Sequence, residues 1–152
     1  ITESSHVVIV ARDYAEKYTG TTDLEAACRI IHDRGALIAG VTDGANGSYF
    51  VWPDGTAYRC QPFPQEHVVD TTGAGDSFHG AFLSKLAASI RQEDALHDEF
   101  IKPIDILQSL DHKQLESAAI FASAVSALNT QGIGGRSALP SLETARNLAG
   151  LE

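Results

Sequence analysis

The chain is 152 residues long, enough for one domain, or part of one, with room for a real core. Asp and Glu number 20 against 11 Lys and Arg, and the net charge of −9 argues against a nucleic-acid surface, which needs a basic stripe. With 43% apolar residues nothing suggests disorder, and the longest apolar stretch, Ala118 to Leu128, is too short to span a bilayer.

In chain order, His6 to Val10 is a short β-branched run that predicts a buried strand. Thr21 or Thr22 is the expected cap of a helix carrying Leu24, Ala27, Cys28 and Ile31 on one face and ending near Gly35. Ala36 to Val41 is the next strand, and the strand–helix–strand order implies a parallel pair. Tyr49–Trp52 and Thr56–Cys60 flank Pro53-Asp54-Gly55, a turn signal between two short strands. Pro62 and Pro64 make an extended connection into Val68 and Val69, read as a further strand. An amphipathic helix from Ser77 to Ser89 follows, with Phe78, Phe82, Leu83 and Leu86 on one side. The charged stretch Arg91 to Asp98 reads as a surface loop or frayed helix end. Asp111 is expected to cap a long helix through Leu128, Gln131 to Arg136 forms a glycine-rich loop, and Ser141 caps a last helix to about Ala149. The predicted fold class is α/β, a mainly parallel sheet with helices on both faces and ligands at the carboxyl ends of the strands.

The cysteines, Cys28 and Cys60, are far apart and suit buried thiols in a reducing compartment, so a cytoplasmic location is expected. The chain starts at Ile1 and holds no methionine, so its true beginning is expected to lie upstream.

Function is concentrated in residues 70 to 80, Asp-Thr-Thr-Gly-Ala-Gly-Asp-Ser-Phe-His-Gly. The order is apolar stretch, glycine turn, helix start. The first backbone N–H groups of a helix lack internal partners and, with the positive end of the helix dipole, form an anion site. Gly73 and Gly75 let the backbone turn and approach a ligand closely. Asp76 then places a carboxylate where a phosphate would sit, which is wasteful unless that acid takes a proton from an attacking hydroxyl. An aspartate at a helix start is also an ordinary capping signal. Other glycine motifs fit worse: a dinucleotide fingerprint would want glycine at Phe78, and no Gly-Lys-Ser or Gly-Lys-Thr occurs for a P-loop. No zinc signature is present either.

The whole run resembles the second signature of the ribokinase-like (pfkB) carbohydrate kinases, Asp-Thr-x-Gly-Ala-Gly-Asp followed by a small-residue pair, here Gly80 and Ala81. The likeness extends through Val-Thr-Asp-Gly-Ala-Asn-Gly at 41–47 to Gly-Gly-Arg-x-x-x-Pro at 134–140. It implies a three-layer α/β/α ribokinase-like fold, of which this chain is the carboxyl-terminal, nucleotide-binding and catalytic portion. The first signature, most sugar contacts and the small lid sheet are expected upstream of Ile1. It further implies ATP-dependent phosphoryl transfer to a sugar hydroxyl. Asp76 would be the general base, and Gly73, Ala74 and Gly75 the anion hole. Thr42, Gly44 and Gly47 would contact nucleotide phosphates or ribose, and Ser123 would lie near the adenine. Asp70 and Thr72 either serve a monovalent cation such as K⁺, with carbonyls of 129–135, or Asp70 bonds nearby backbone N–H groups. His79 either approaches the acceptor or packs, and packing is the expectation.

One stretch departs from the family pattern. Where many members have Asn-x-x-Glu to organise Mg²⁺, this chain has Ala11-Arg12-Asp13-Tyr14, leaving Asp13 as the candidate acid for Mg²⁺. Ketohexokinase-like members depart in a similar way, and Trp52-Pro53-Asp54-Gly55 loosely resembles them too. That tilts the expected acceptor toward a ketose or related sugar. A nucleoside kinase of the same fold and a non-catalytic nucleotide-binding module are the competing readings. The 152 residues by themselves are expected to be inactive, and exposed sheet edges are expected to favour self-association into a homo-oligomer.

Overall fold

The computed structural model describes residues 4–95 and 101–151. Its elements run β1 (Val7–Ala11), α1 (Arg12–Thr19), α2 (Leu24–Asp33), β2 (Ile38–Thr42), β3 (Ser48–Val51), β4 (Ala57–Cys60), α3 (Ala74–Asp94), α4 (Pro103–Ser109), α5 (His112–Asn129) and α6 (Leu142–Ala149).

The four strands form one sheet in sequence order. β1 and β2 pair in parallel, with Val7 opposite Ile38 and Ala11 opposite Thr42. β2–β3 and β3–β4 are antiparallel. The α/β class holds, but the sheet is mixed in the described residues and not mainly parallel: short turns at Gly44–Asn46 and Pro53–Gly55 reverse the chain where a helical crossover would keep it parallel.

Strand alternation sends alternate side chains into two layers. Ile38, Phe50 and Trp52 meet Phe78, Phe82 and Leu86 of α3 and Leu115, Ala118 and Ala122 of α5. Ala39, Val41 and Val51 join Val8, Leu24, Ala27, Cys28 and Ile31 on the opposite face. Gly40, opposite Phe50 in the register, leaves room for that ring: a Cβ there would lie 2.6 Å from Phe50 Cε1. The alanine face of α5 packs closely on α3, burying Ala118, Ala119 and Ala122.

Several expectations need correcting. Val68 and Val69 are not a strand; they are 57% and 55% exposed and lie in an irregular connection. α2 is capped by Asp23, whose Oδ1 accepts from Ala26 N at 3.1 Å, while Thr21 accepts from Asp23 N. Leu83 is 48% exposed, outside the core face of α3. Arg91–Asp94 belong to α3, whereas residues 96–98 of the same expected loop lie outside the described residues. Asp111 and Ser141 cap α5 and α6 as expected, Asp111 within a capping box completed by Gln114. Both cysteines are buried free thiols, and burial pushes Cys28 up to about 12 and Cys60 to about 11.

Candidate active site

The polypeptide reaches α3 through Asp70-Thr71-Thr72-Gly73, and Gly73 takes the left-handed conformation at φ 76°. A side chain is excluded there twice over, since a Cβ would sit 2.5 Å from Gly135 Cα as well as being strained. The turn therefore exists because two glycines from distant loops touch.

Ala74 N donates to Thr71 O at 3.1 Å, which closes the turn, and Ser77 N donates to Gly73 O at 2.9 Å. That leaves the N–H groups of Gly75 and Asp76 without a partner among the described residues. The set of open donors is thus narrower than the anion hole expected from the sequence, because the Ala74 N–H is already taken. Asp76 is exposed, and its carboxylate has no hydrogen-bond partner among the described residues. The Asp76 carboxylate thus stands free of protein partners beside a turn with two open N–H donors.

Beside this turn lies a cavity of about 410 Å³. It brings together six residues singled out in the sequence: Thr42, Gly44 and Gly47 from the β2–β3 turn, Ala74 and Gly75 from α3, and Ser123 from α5. Gly47 has φ 92°, and a Cβ there would run into Cys60 O, so the turn can lie flat only without one. Ser126 Oγ donates to Ala74 O at 2.8 Å and ties α5 to the first turn of α3. Ser123 Oγ reaches Gln61 O at 3.4 Å. Phe63, Pro64, Val68, Phe78, Ala127 and Thr130 are among the other residues of the wall. Sequence reasoning missed most of these, although the spacing of Ser126 one turn after Ser123 was a usable signal.

Asp70 and Thr72 lie behind the turn, not in the cavity lining. Asp70 Oδ2 accepts from Gly134 N and Oδ1 from Thr72 N, both at 2.8 Å. These two N–H donors, Gly134 first, hold the Asp70 carboxyl below its ordinary range. Asn129, fully buried, donates from Nδ2 to Gly135 O at 3.2 Å, and its Oδ1 has no partner among the described residues.

A pH prediction follows with a fixed sign. A carboxyl depressed in the folded state contributes its stabilisation in full above the ordinary aspartate value of about 3.9, and loses it as pH falls below that value through the folded one. The melting temperature of Asp70→Asn is therefore expected to fall less steeply than that of the unaltered protein below about pH 4. Parallel curves across that window would exclude the assignment.

Asp13 is exposed in the first turn of α1 and does not line the cavity. Its neighbour Arg12 is held by two carboxylates: Arg12 Nη1 lies 3.2 Å from Asp43 Oδ2 and Arg12 Nε 2.8 Å from Glu16 Oε1. Both carboxylates hold the guanidinium above its usual value. Among the described residues no group of three or more His, Cys, Asp or Glu could hold a metal ion. No helix among the described residues is long and apolar enough to cross a membrane.

A family model described as pfkB family carbohydrate kinase matches residues 1–142. The bifunctional ribokinase/ribose-5-phosphate isomerase A of Fructilactobacillus sanfranciscensis is 30% identical over 127 residues, covering 84% of this chain and 19% of that protein. Mouse (Mus musculus) ketohexokinase is 34% identical over 95 residues, covering 59% of this chain and 30% of the enzyme. A double mutant of fructokinase from Vibrio cholerae O395, in a form with fructose, ADP and potassium ion bound, superposes with a TM-score of 0.72 at 23% identity, covering 95% of this chain and 40% of that one. The chain thus spans under a third of the length of these curated relatives.

Proposed function

The chain belongs to the pfkB family of carbohydrate kinases, and from that premise we propose that it is the nucleotide-binding and catalytic portion of an ATP-dependent kinase acting on a ketose or related sugar. The observation that carries the reading is the coincidence, on one helix turn, of two open backbone donors at Gly75 and Asp76 with an unpartnered, exposed carboxylate.

In this reading the cavity holds the nucleotide, with Thr42, Gly44 and Gly47 along its phosphates or ribose and Ser123 toward the base. The N–H groups of Gly75 and Asp76 face the transferring phosphoryl group and stabilise charge on its oxygens. Asp76 accepts the proton of the sugar hydroxyl as the oxygen–phosphorus bond forms and the bond to the β-phosphate oxygen breaks, releasing ADP. Holding these groups in line supplies most of the acceleration, because phosphoryl transfer asks little covalent work of the protein.

Mg²⁺ would neutralise phosphate charge when bound. Asp13, the candidate carboxylate for it, lies outside the cavity lining and among the described residues there is no three-ligand cluster, so the residues present would leave the metal to phosphate and water. A monovalent cation fits better: the unpartnered Asn129 Oδ1 and the loop held by Asp70 offer oxygen ligands behind the anion site. The buried unpaired thiols suit a reducing compartment such as the cytoplasm.

The test is ADP release by the intact protein against a panel of ketoses, aldoses, sugar acids and nucleosides. Stimulation by a ketose is expected. Stimulation only by nucleosides would replace the sugar with a nucleoside, and no stimulation by any acceptor would leave a non-catalytic nucleotide-binding module.

A further inference from the structure

His79 lies one turn after Gly75 on α3. Its Nδ1 is 2.7 Å from Gly75 O, and its Nε2 is 2.8 Å from Ile9 O on β1, 70 residues away in the chain. Both partners are backbone carbonyls, which only accept. A neutral imidazole has one N–H, so it can satisfy one of the two and turns a lone pair on the other. A ring with both nitrogens protonated satisfies both.

The Gly75 carbonyl and the Asp76 N–H are opposite ends of one planar peptide group. A donor on that carbonyl fixes the plane of the peptide and polarises its N–H. The Asp76 N–H is one of the two open donors of the anion site. The other end of the imidazole is anchored to β1, whose register carries it beside β2 and Thr42 on the far wall of the cavity. The ring therefore spans from the sheet to the peptide that faces the phosphoryl group. A side chain that merely packs has no need of carbonyls on both nitrogens.

Resting on the phosphoryl-transfer reading above, we propose that His79 is a positioning residue, a bridge from β1 that aligns the Gly75–Asp76 peptide toward the transferring phosphoryl group. It touches neither substrate in this role, so its loss should alter turnover and leave nucleotide binding largely unchanged.

The test compares the intact protein with His79→Phe, which keeps a ring and removes both donors, and His79→Gln, which keeps a side-chain N–H. The expected result for His79→Phe is a fall in kcat of roughly 10- to 100-fold, the scale of a misaligned reacting group, with the nucleotide KM within about twofold. His79→Gln should recover several-fold of that loss. Turnover of His79→Phe within twofold of the unaltered enzyme would overturn the role. If His79→Phe does not fold, His79→Leu takes its place: a comparable fall in kcat with the nucleotide KM unchanged supports the bridge, and turnover within twofold overturns it. An unaltered protein that phosphorylates no acceptor overturns the kinase reading and this role together, whereas an active enzyme indifferent to His79→Phe overturns this role alone.

Discussion

Asp76→Asn in the intact protein is expected to lower kcat by about 10²–10⁴-fold, the usual contribution of a positioned general base, while the nucleotide still binds. The substitution is nearly isosteric and leaves the Asp76 N–H in place, so the anion site keeps both open donors. Because the carboxylate is exposed and makes no hydrogen bond among the described residues, its loss should cost the fold little. The effect should therefore separate cleanly: turnover collapses, thermal stability and nucleotide affinity do not. Steady-state kinetics with calorimetric titration of ADP measure both halves. Turnover near that of the unaltered protein would remove Asp76 from the mechanism.

Gly73→Ala is expected to damage both fold and activity. A left-handed alanine costs about 1–2 kcal/mol, and the added methyl meets Gly135 Cα at 2.5 Å, a backbone atom that cannot swing aside. Overpacking of this kind costs a further 1–3 kcal/mol or so, giving a loss of roughly 2–5 kcal/mol by chemical denaturation. The turn and the 131–136 loop would have to separate, taking the Gly75 and Asp76 donors out of line. Gly75→Ala is the contrasting control, because nothing in the protein lies within 4 Å of a Cβ placed there. It should fold normally and lose activity only through crowding of the ligand. Equal stability of the two variants would mean that the loops do not meet as described.

Much of the molecule could be read from the residues alone, and the exceptions have physical causes. The strand–helix–strand start, the hairpin around Pro53-Asp54-Gly55 and the capped helices α5 and α6 are strongly patterned and came out as expected. α1 went unread because its sequence, Arg-Asp-Tyr-Ala-Glu-Lys-Tyr-Thr, buries only Ala15 and carries no apolar stripe. α4 went unread although Pro103 at its first position is a start signal, followed by Ile106 and Leu107 in the core. Val68 and Val69 misled because β-branched pairs suggest a strand, yet no neighbouring strand is present in the described residues to pair with them. At the site, the glycine signature announced the turn into α3, and the Thr42–Gly47 turn and Ser123 line the same cavity as Ala74 and Gly75. What the sequence withheld was which donors stay open. Ala74 is spent on Thr71 O, a fact of local geometry that no residue identity encodes. The wall formed by Phe63, Pro64 and Thr130 was equally hidden, since Thr130 lies far along the chain from the other two and Pro64 marked only an extended connection.

Trp52 is the single tryptophan of the chain, fully buried and stacked on Phe50 and Tyr58, and it does not line the cavity beside α3. Its emission is consequently a gauge of the hydrophobic layer between sheet and α3–α5. Fluorescence should follow denaturation of that layer faithfully while staying nearly silent as ATP or ADP is added, so ligand occupancy has to be read by another signal.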